Sequence, residues 1–195
     1  SSVTSIESGT FQNCTSLTEI TLPSSLTVIS SFLFENCKSL QLITLPSSIT
    51  SIENNAFNGC SSLKELKIPA SVTEIQKNAF NSCTSLTELT FSAGKEIVIC
   101  DYAFFNCTSL KKLTISSPTS EIKYNAFGNC SSLSEITILS PQIDIHEKAF
   151  ARCFLVKKLS ISPSLKISSN PYSNTHFLKK FTNIEQIKCD VSQIS

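Results

Sequence analysis

The side chains best suited to nucleophilic, redox or metal chemistry in this 195-residue chain are nine cysteines and two histidines. Seven of the cysteines fall at a fixed interval: Cys14, Cys37, Cys60, Cys83, Cys107, Cys130 and Cys153, in steps of 23, 23, 23, 24, 23 and 23 residues. No Cys-x-x-Cys pair and no Cys/His cluster at ligand spacing accompanies them, so neither a zinc site nor any other metal or cofactor is expected. Each of the seven follows a phenylalanine by three positions: Phe11, Phe34, Phe57, Phe80, Phe104, Phe127 and Phe150. In that apolar setting a thiol behaves as a small hydrophobe. Stacked rungs ~4.8 Å apart would lie within disulfide reach by Cα distance. Parallel side chains in register have the wrong torsion for a relaxed bridge, however, so a column of buried, reduced thiols is expected. Cys100 and Cys189 lie outside the column, and their redox state is open. His146 and His176 are isolated from any acid, base or nucleophile pattern, and a solvated or satisfied imidazole is expected at His146. With only four glycines there is no phosphate-cradling loop. The chain is not expected to be an enzyme.

The interval itself is a structural statement. Aligned on cysteine, the units read Ala-Phe-x-x-Cys-x-x-Leu-x-x-Ile-x-Leu-Pro-x-x-Leu-x-x-Ile, and such self-similarity is the signature of a solenoid. Ile20 and Leu22 alternate with polar neighbours, as in a strand with one buried face. Ala56-Phe57 and Cys60-Leu63 recur at three to four residues, which predicts a single helical or 3₁₀ turn. A lone unit buries too little to fold, so the units must stack, and residues 1–195 form one domain. The seven clear units are followed by a weak eighth over 178–194, threaded through Leu178, Phe181, Ile184, Ile187 and Cys189. Departures begin in the fourth unit. Leu-Pro becomes Phe91-Ser92, and one residue is inserted around Ala93-Gly94, with Gly94 the natural site for a bulge. Proline is also lost after Ile115 and after Ile138, where Leu139 stands.

Net charge is +1, from sixteen basic and fifteen acidic side chains. Nucleic acid is therefore not an expected partner, nor is a membrane surface. Residues 1–92 hold seven acids and four bases, and residues 93–195 hold eight acids and twelve bases, giving −3 and +4. No run approaches 18 apolar residues, so no membrane insertion is expected within this segment. The chain lacks Met and opens within a repeat, so it is expected to be part of a longer protein. Its open ends make end-to-end self-association a hazard.

The hallmark Ala56-Phe57-Asn58-Gly59-Cys60-Ser61-Ser62-Leu63, followed by Ile68-Pro69, resembles the BspA-like, or Treponema pallidum-type, leucine-rich repeat. The resemblance is strong over residues 3–167 and weak over 178–194. It implies a mainly β repeat solenoid of the α/β class, right-handed and curved. A parallel sheet would line the concave side, with short strands or 3₁₀ turns opposite. It further implies surface attachment: family members in oral bacteria and gut anaerobes bind extracellular-matrix proteins, and large sets occur in protists such as Trichomonas and Entamoeba. The Ser/Asn/Lys-rich, Gly-poor composition favours a protist source. The family has no catalytic residues to carry over.

If Leu17, Ile20 and Leu22 point inward, the residues between them point outward. That register gives a first outward column of Glu19, Leu42, Glu65, Glu88, Lys112, Glu135, Lys158 and Gln186. The second is Thr21, Thr44, Lys67, Thr90, Thr114, Thr137, Ser160 and Lys188. The thirteen of these that run from Glu19 to Lys158 in the first column and from Thr21 to Thr137 in the second are the candidate protein-binding residues, since solenoids use extended faces of this kind, although Thr also suits any exposed strand. Leu42 is the one apolar residue in its column. Sequons at Asn13, Asn106 and Asn129 are candidate N-glycosylation sites in a secreted eukaryotic protein, although each also falls where the repeat's Asn-Cys-Thr/Ser recurs. The expected function is a non-enzymatic module that recognises a host extracellular or surface protein, placed at the cell surface or secreted. The alternatives are a cytoplasmic scaffold for a signalling or regulatory protein, or a structural spacer.

Overall fold

The computed structural model describes residues 3–140 and 142–162, with the backbone of Lys166–Ile167 and Gln186–Cys189. Most of the weak eighth unit, including its threading through Leu178, Phe181 and Ile184, lies outside the described residues. Each unit makes one coil with three sides. The first side is a strand: β1 (Glu19–Thr21), β3 (Leu42–Thr44), β5 (Glu65–Ile68), β7 (Glu88–Phe91), β9 (Lys112–Ile115), β11 (Glu135–Ile138), β13 (Lys158–Ile161) and β15 (Gln186–Cys189). The second is a shorter strand: β2 (Val28–Ile29), β4 (Ser51–Ile52), β6 (Glu74–Ile75), β8 (Ile97–Ile99), β10 (Thr119–Ile122), β12 (Gln142–Ile145) and β14 (Lys166–Ile167). All pairings are parallel, and the second sheet is continuous through its seven strands. No helix among the described residues is long and apolar enough to cross a membrane.

The third side is built of turns, and its hydrogen bonding explains the asparagines of the repeat. Phe34 N–H donates to Ala56 O of the next coil at 2.7 Å, and Asn36 N–H to Asn58 O at 2.7 Å. Between them, Glu35 N–H turns back to Phe32 O at 3.1 Å and Cys37 N–H to Phe34 O at 3.1 Å. Phe57, Phe80, Phe104 and Phe127 repeat the forward bond at 2.7–2.8 Å. This alternation requires two left-handed residues per coil, four apart: Asn55 and Gly59 at φ 57° and 75°, Asn78 and Ser82 at 58° and 60°, Asn125 and Asn129 at 51° and 59°. Asn tolerates that region better than most side chains. The expected helical or 3₁₀ turn is therefore a run of i→i−3 turns interrupted by left-handed residues, each interruption freeing a donor for the neighbouring coil.

Inside, stacking in register superposes like on like. The seven phenylalanine rings form one column, with successive centroids 4.9–5.4 Å apart and planes within 18°. Those centroid distances exceed the ~3.5–4.0 Å of atomic contact, so the rings are slid past one another, the favoured offset arrangement. Leu, Ile and Cys columns complete the buried core.

The inserted residue is absorbed at a corner. A Cβ on Gly94 would lie 2.3 Å from Ala70 O and 2.7 Å from Ala70 Cα, so only glycine allows this approach of two backbones. Lys95 N–H donates to the same carbonyl at 3.1 Å. The expected bulge at Gly94 is thus displaced. The irregularity falls on β10, where Thr119 pairs with Ile97 and Glu121 with Val98, leaving Ser120 extra.

Proline has a second effect. Where a coil has no proline after the first strand, one more rung forms: Ser92 N–H to Ile68 O at 3.0 Å, Leu139 to Ile115 at 2.9 Å and Ser162 to Ile138 at 2.9 Å. Pro23, Pro46 and Pro69 have no N–H to give. The first sheet is also split, although a proline after the strand does not by itself prevent pairing, since β3 still pairs with β1 ahead of Pro46. β1 pairs with β3, and β5 through β15 pair continuously, while β3 and β5 run side by side without pairing.

Two substitutions test this account. Phe80→Ala in mid-column is expected to lower unfolding stability by about 3–5 kcal/mol. Phe32 holds a left-handed φ of 58° with its side chain 38% exposed. Phe32→Asn is therefore expected to raise stability by up to about 1 kcal/mol. Urea unfolding followed by circular dichroism reads both.

Candidate protein-binding face

The two outward columns stand as the alternation predicts. In the first, Glu19 is the Cα partner of Leu42, Glu65 of Glu88, Glu88 of Lys112, Lys112 of Glu135 and Glu135 of Lys158. Lys158 is in turn the partner of Gln186. In the second, Thr21 partners Thr44, Lys67 partners Thr90, and Thr114, Thr137 and Ser160 follow in register. Side chains between them, such as Ile43, Leu66, Leu89 and Leu113, are buried. All thirteen candidate residues therefore share one face, with the split between β3 and β5 crossing it.

Charge is distributed unevenly over this face. Lys158 Nζ lies 2.8 Å from Glu135 Oε1, and this hydrogen bond, with the attraction of the same ammonium, holds the Glu135 carboxyl below its usual range. Lys112 Nζ lies 3.8 Å from Glu88 Oε1. Glu19, Glu65 and Lys67 have no ion-pair partner among the described residues. Two adjoining grooves open here. One of about 690 Å³ lies over the split and is lined by Leu42, Thr44, Leu45, Glu65, Lys67 and Pro69 among others. The other, of about 540 Å³, reaches back to Glu19, Thr21 and Leu22 and shares Leu42, Ile43 and Thr44. Leu42 is 58% exposed at their junction.

The cysteine column is a ladder of free thiols. Cys37 through Cys153 are buried at the six inner positions, and Cys14 is exposed in the first coil. Each buried Sγ donates to the phenylalanine carbonyl of the preceding coil, from Cys37 to Phe11 O at 3.0 Å to Cys130 to Phe104 O at 3.4 Å. Cysteine thus combines a small apolar volume with a weak donor for an otherwise half-used carbonyl. Burial, reinforced by the neighbouring thiol of Cys14, pushes Cys37 up to about 11. Desolvation also drives Cys60, Cys83 and Cys130 well above the usual thiol range. Cys100 is half-buried, with Sγ 3.8 Å from Glu74 Oε1, and burial also raises its pKa.

Two of the three sequon amides are engaged in side-chain ladders as donors. Asn129 Nδ2 donates to Asn106 Oδ1 at 2.7 Å, and Asn106 Nδ2 to Ser82 Oγ at 3.3 Å, so a glycan on either nitrogen would displace a rung. Asn13 is exposed and accepts from Asn36 Nδ2 at 3.1 Å.

Sequence reasoning missed the grooves, whose signal was Pro46 and Pro69, and an aromatic cluster on the turn side. Tyr102 packs edge-on to Phe105 and Tyr124 at 5.4 and 5.5 Å, and Tyr124 to His146 at 5.3 Å. His146 is exposed, and its Nδ1 accepts from Lys148 N–H at 3.1 Å.

Because the thiolate is the reactive form, the buried ladder is expected to resist alkylation. With a pKa near 11, only about 0.1% of Cys37 is ionised at pH 8. Iodoacetamide at pH 8 should label Cys14 quickly and Cys37, Cys60, Cys83 and Cys130 only after denaturation, as read by peptide mass mapping. A raised folded pKa favours the protonated state. The resulting stability is complete below the unfolded thiol pKa of about 8.5 and is lost as pH rises through the folded values, so urea midpoints should fall steadily above about pH 9.

Comparison with known proteins agrees with this architecture. The chain matches the BspA type leucine rich repeat region in six copies, over residues 1–98 and 92–193. A leucine-rich repeat protein from Bacteroides ovatus superposes with a TM-score of 0.64 at 30% identity, covering 82% of this chain and 43% of that one. The Treponema pallidum leucine rich repeat protein gives 0.51 at 25% identity, covering 82% and 65%. A leucine rich cell surface protein from Faecalibacterium prausnitzii gives 0.43 at 24% identity, covering 95% and 63%. The chain spans less than two thirds of the length of each. The Bacteroides and Treponema sources are bacterial, so the expectation of a protist origin gains no support from them. No curated protein matches. Six family repeats spanning residues 1–193 place the chain in the BspA type of leucine-rich repeat proteins, whose repeats generally serve as protein-interaction scaffolds and are typically non-catalytic.

Proposed function

We propose that the chain is a recognition module of a cell-surface protein, binding a host extracellular or surface protein through the outward face of its first sheet. The observation that carries this reading is the junction at Leu42. A large apolar side chain is left 58% exposed where two grooves meet, in a column whose other outward members are charged or amide-bearing. A single exposed leucine is ordinary. One seated between two concavities, beside the carboxylates of Glu19 and Glu65, which have no ion-pair partner among the described residues, has the make-up of a contact site: an apolar anchor with a polar rim. Family membership supports protein binding in general, and adhesion is the finer part of the proposal.

A second reading has its own support. The buried thiol ladder suits a reducing compartment, in which the same face would serve a cytoplasmic scaffold.

Capture on immobilised extracellular-matrix proteins, compared between wild type, Leu42→Arg and the Glu65→Lys/Glu88→Lys pair, tests the face. All three positions of change are exposed, so thermal midpoints should hold while capture falls at least about tenfold. Unchanged capture by both variants would remove the face from the proposal. Surface biotinylation of the native full-length protein in intact cells separates the compartments, since labelling only after lysis excludes adhesion.

A further inference from the structure

The grooves also constrain what kind of segment could occupy them. We infer that they take an extended stretch of a protein ligand that carries an apolar residue with Lys or Arg within two positions on either side. This inference rests on the proposed binding face and adds the chemistry of its partner.

Width comes first. The two outward columns that bound the trough, Glu19–Leu42–Glu65 and Thr21–Thr44–Lys67, are two residues apart along their strands, or about 7 Å. A helix with its side chains needs about 10–12 Å, whereas a single extended chain fits. Length follows from the strands crossed. From β1 to β7 there are three steps of ~4.8 Å, roughly 14 Å, which an extended chain spans in four or five residues.

Charge and polarity then fix the pattern. Along the first column the order is carboxylate, leucine, carboxylate, carboxylate: Glu19, Leu42, Glu65 and Glu88. Glu88 is shared with Lys112 at 3.8 Å, while Glu19 and Glu65, on the two sides of Leu42, have no ion-pair partner among the described residues. An apolar ligand side chain on Leu42, Leu45 and Pro69 would set flanking cations against those two carboxylates. Their long stems can close the difference between a ~9.6 Å carboxylate spacing and the ~13 Å from i−2 to i+2. Two nearby cations must be accommodated. Lys64 Nζ is turned to Gln41 Oε1 at 3.3 Å, outside the strand. Lys67 faces the trough in the second column, where its three donors suit the ligand's main-chain carbonyls. The split adds a further polar surface, since β3 and β5 do not pair there.

The test uses the 195-residue chain and three fluorescein-labelled nonapeptides. Their centres read Lys-Ala-Leu-Ala-Lys, Glu-Ala-Leu-Ala-Glu and Lys-Ala-Ser-Ala-Lys. Fluorescence anisotropy should show the first binding at least about fivefold more tightly than either control. Leu42→Ser and the Glu19→Gln/Glu65→Gln pair should each erase that preference, and raising salt from 50 to 300 mM should weaken the first peptide selectively. Absence of binding by the first peptide, equal binding of the acidic one, or a preference that survives both variants would overturn the inference. The broader reading is tested separately. If the peptides fail while Leu42→Arg still abolishes matrix-protein capture, the face stands and the partner chemistry falls. If capture is also unchanged, both fall.

Discussion

Everything in this molecule depends on three hydrogen-bonded walls advancing by the same rise per coil. Two of the walls are parallel sheets, for which a common rise is automatic. The third is a turn segment, and turns ordinarily spend their N–H groups locally. Here they do not, because left-handed residues four apart, such as Asn55 and Gly59, reverse the local course and send alternate donors to the next coil. With all three walls in step, each side chain lies over its counterpart. The phenylalanine column, the thiol ladder and the Asn ladder follow as consequences of that superposition. Cysteine suits its column because each thiol can meet the carbonyl one coil back without bringing a strong polar group into the core.

The period made most of this legible in advance. Alternation around Ile20 and Leu22 fixed which side chains face out, and the constant step fixed their partners, so both columns and their register could be written from the sequence. What escaped it was interaction between coils that no single unit encodes. Asn-rich corners read as generic turns, since their role appears only when a neighbouring carbonyl is in place. Gly94 reads as a bulge, but its need for glycine comes from Ala70, twenty-four residues away. Phe32 and Tyr102 occupy left-handed positions that favour Asn or Gly, at φ 58°, and nothing in their own segments announces it. Proline is the clearest case. Pro69 reads as a mark of the repeat, yet its effect is on the ladder to the preceding coil, which loses a rung.

That effect joins the architecture to the binding face. From β5 onward, the donors at Ser92, Ser116, Leu139 and Ser162 carry the first sheet one rung further, and the strands pair without a break. In the same coils the outward charges answer one another, Lys112 with Glu88 and Lys158 with Glu135. Such exposed pairs are worth little energetically, about 0–1 kcal/mol each, but they leave the surface locally satisfied. The proline-bearing coils differ on both counts. Their ladder stops short, their sheet is split, and Glu19, Glu65 and Lys67 have no ion partner among the described residues. The net charge of −3 over residues 1–92 reflects the same imbalance. One repeat thus produces two kinds of surface along a single rod, and the rung lost at each proline is one part of that difference. A partner would gain most where backbone and charge are both left incomplete, which is the ground for proposing recognition over β1 to β7, with the later coils as the support that would hold it.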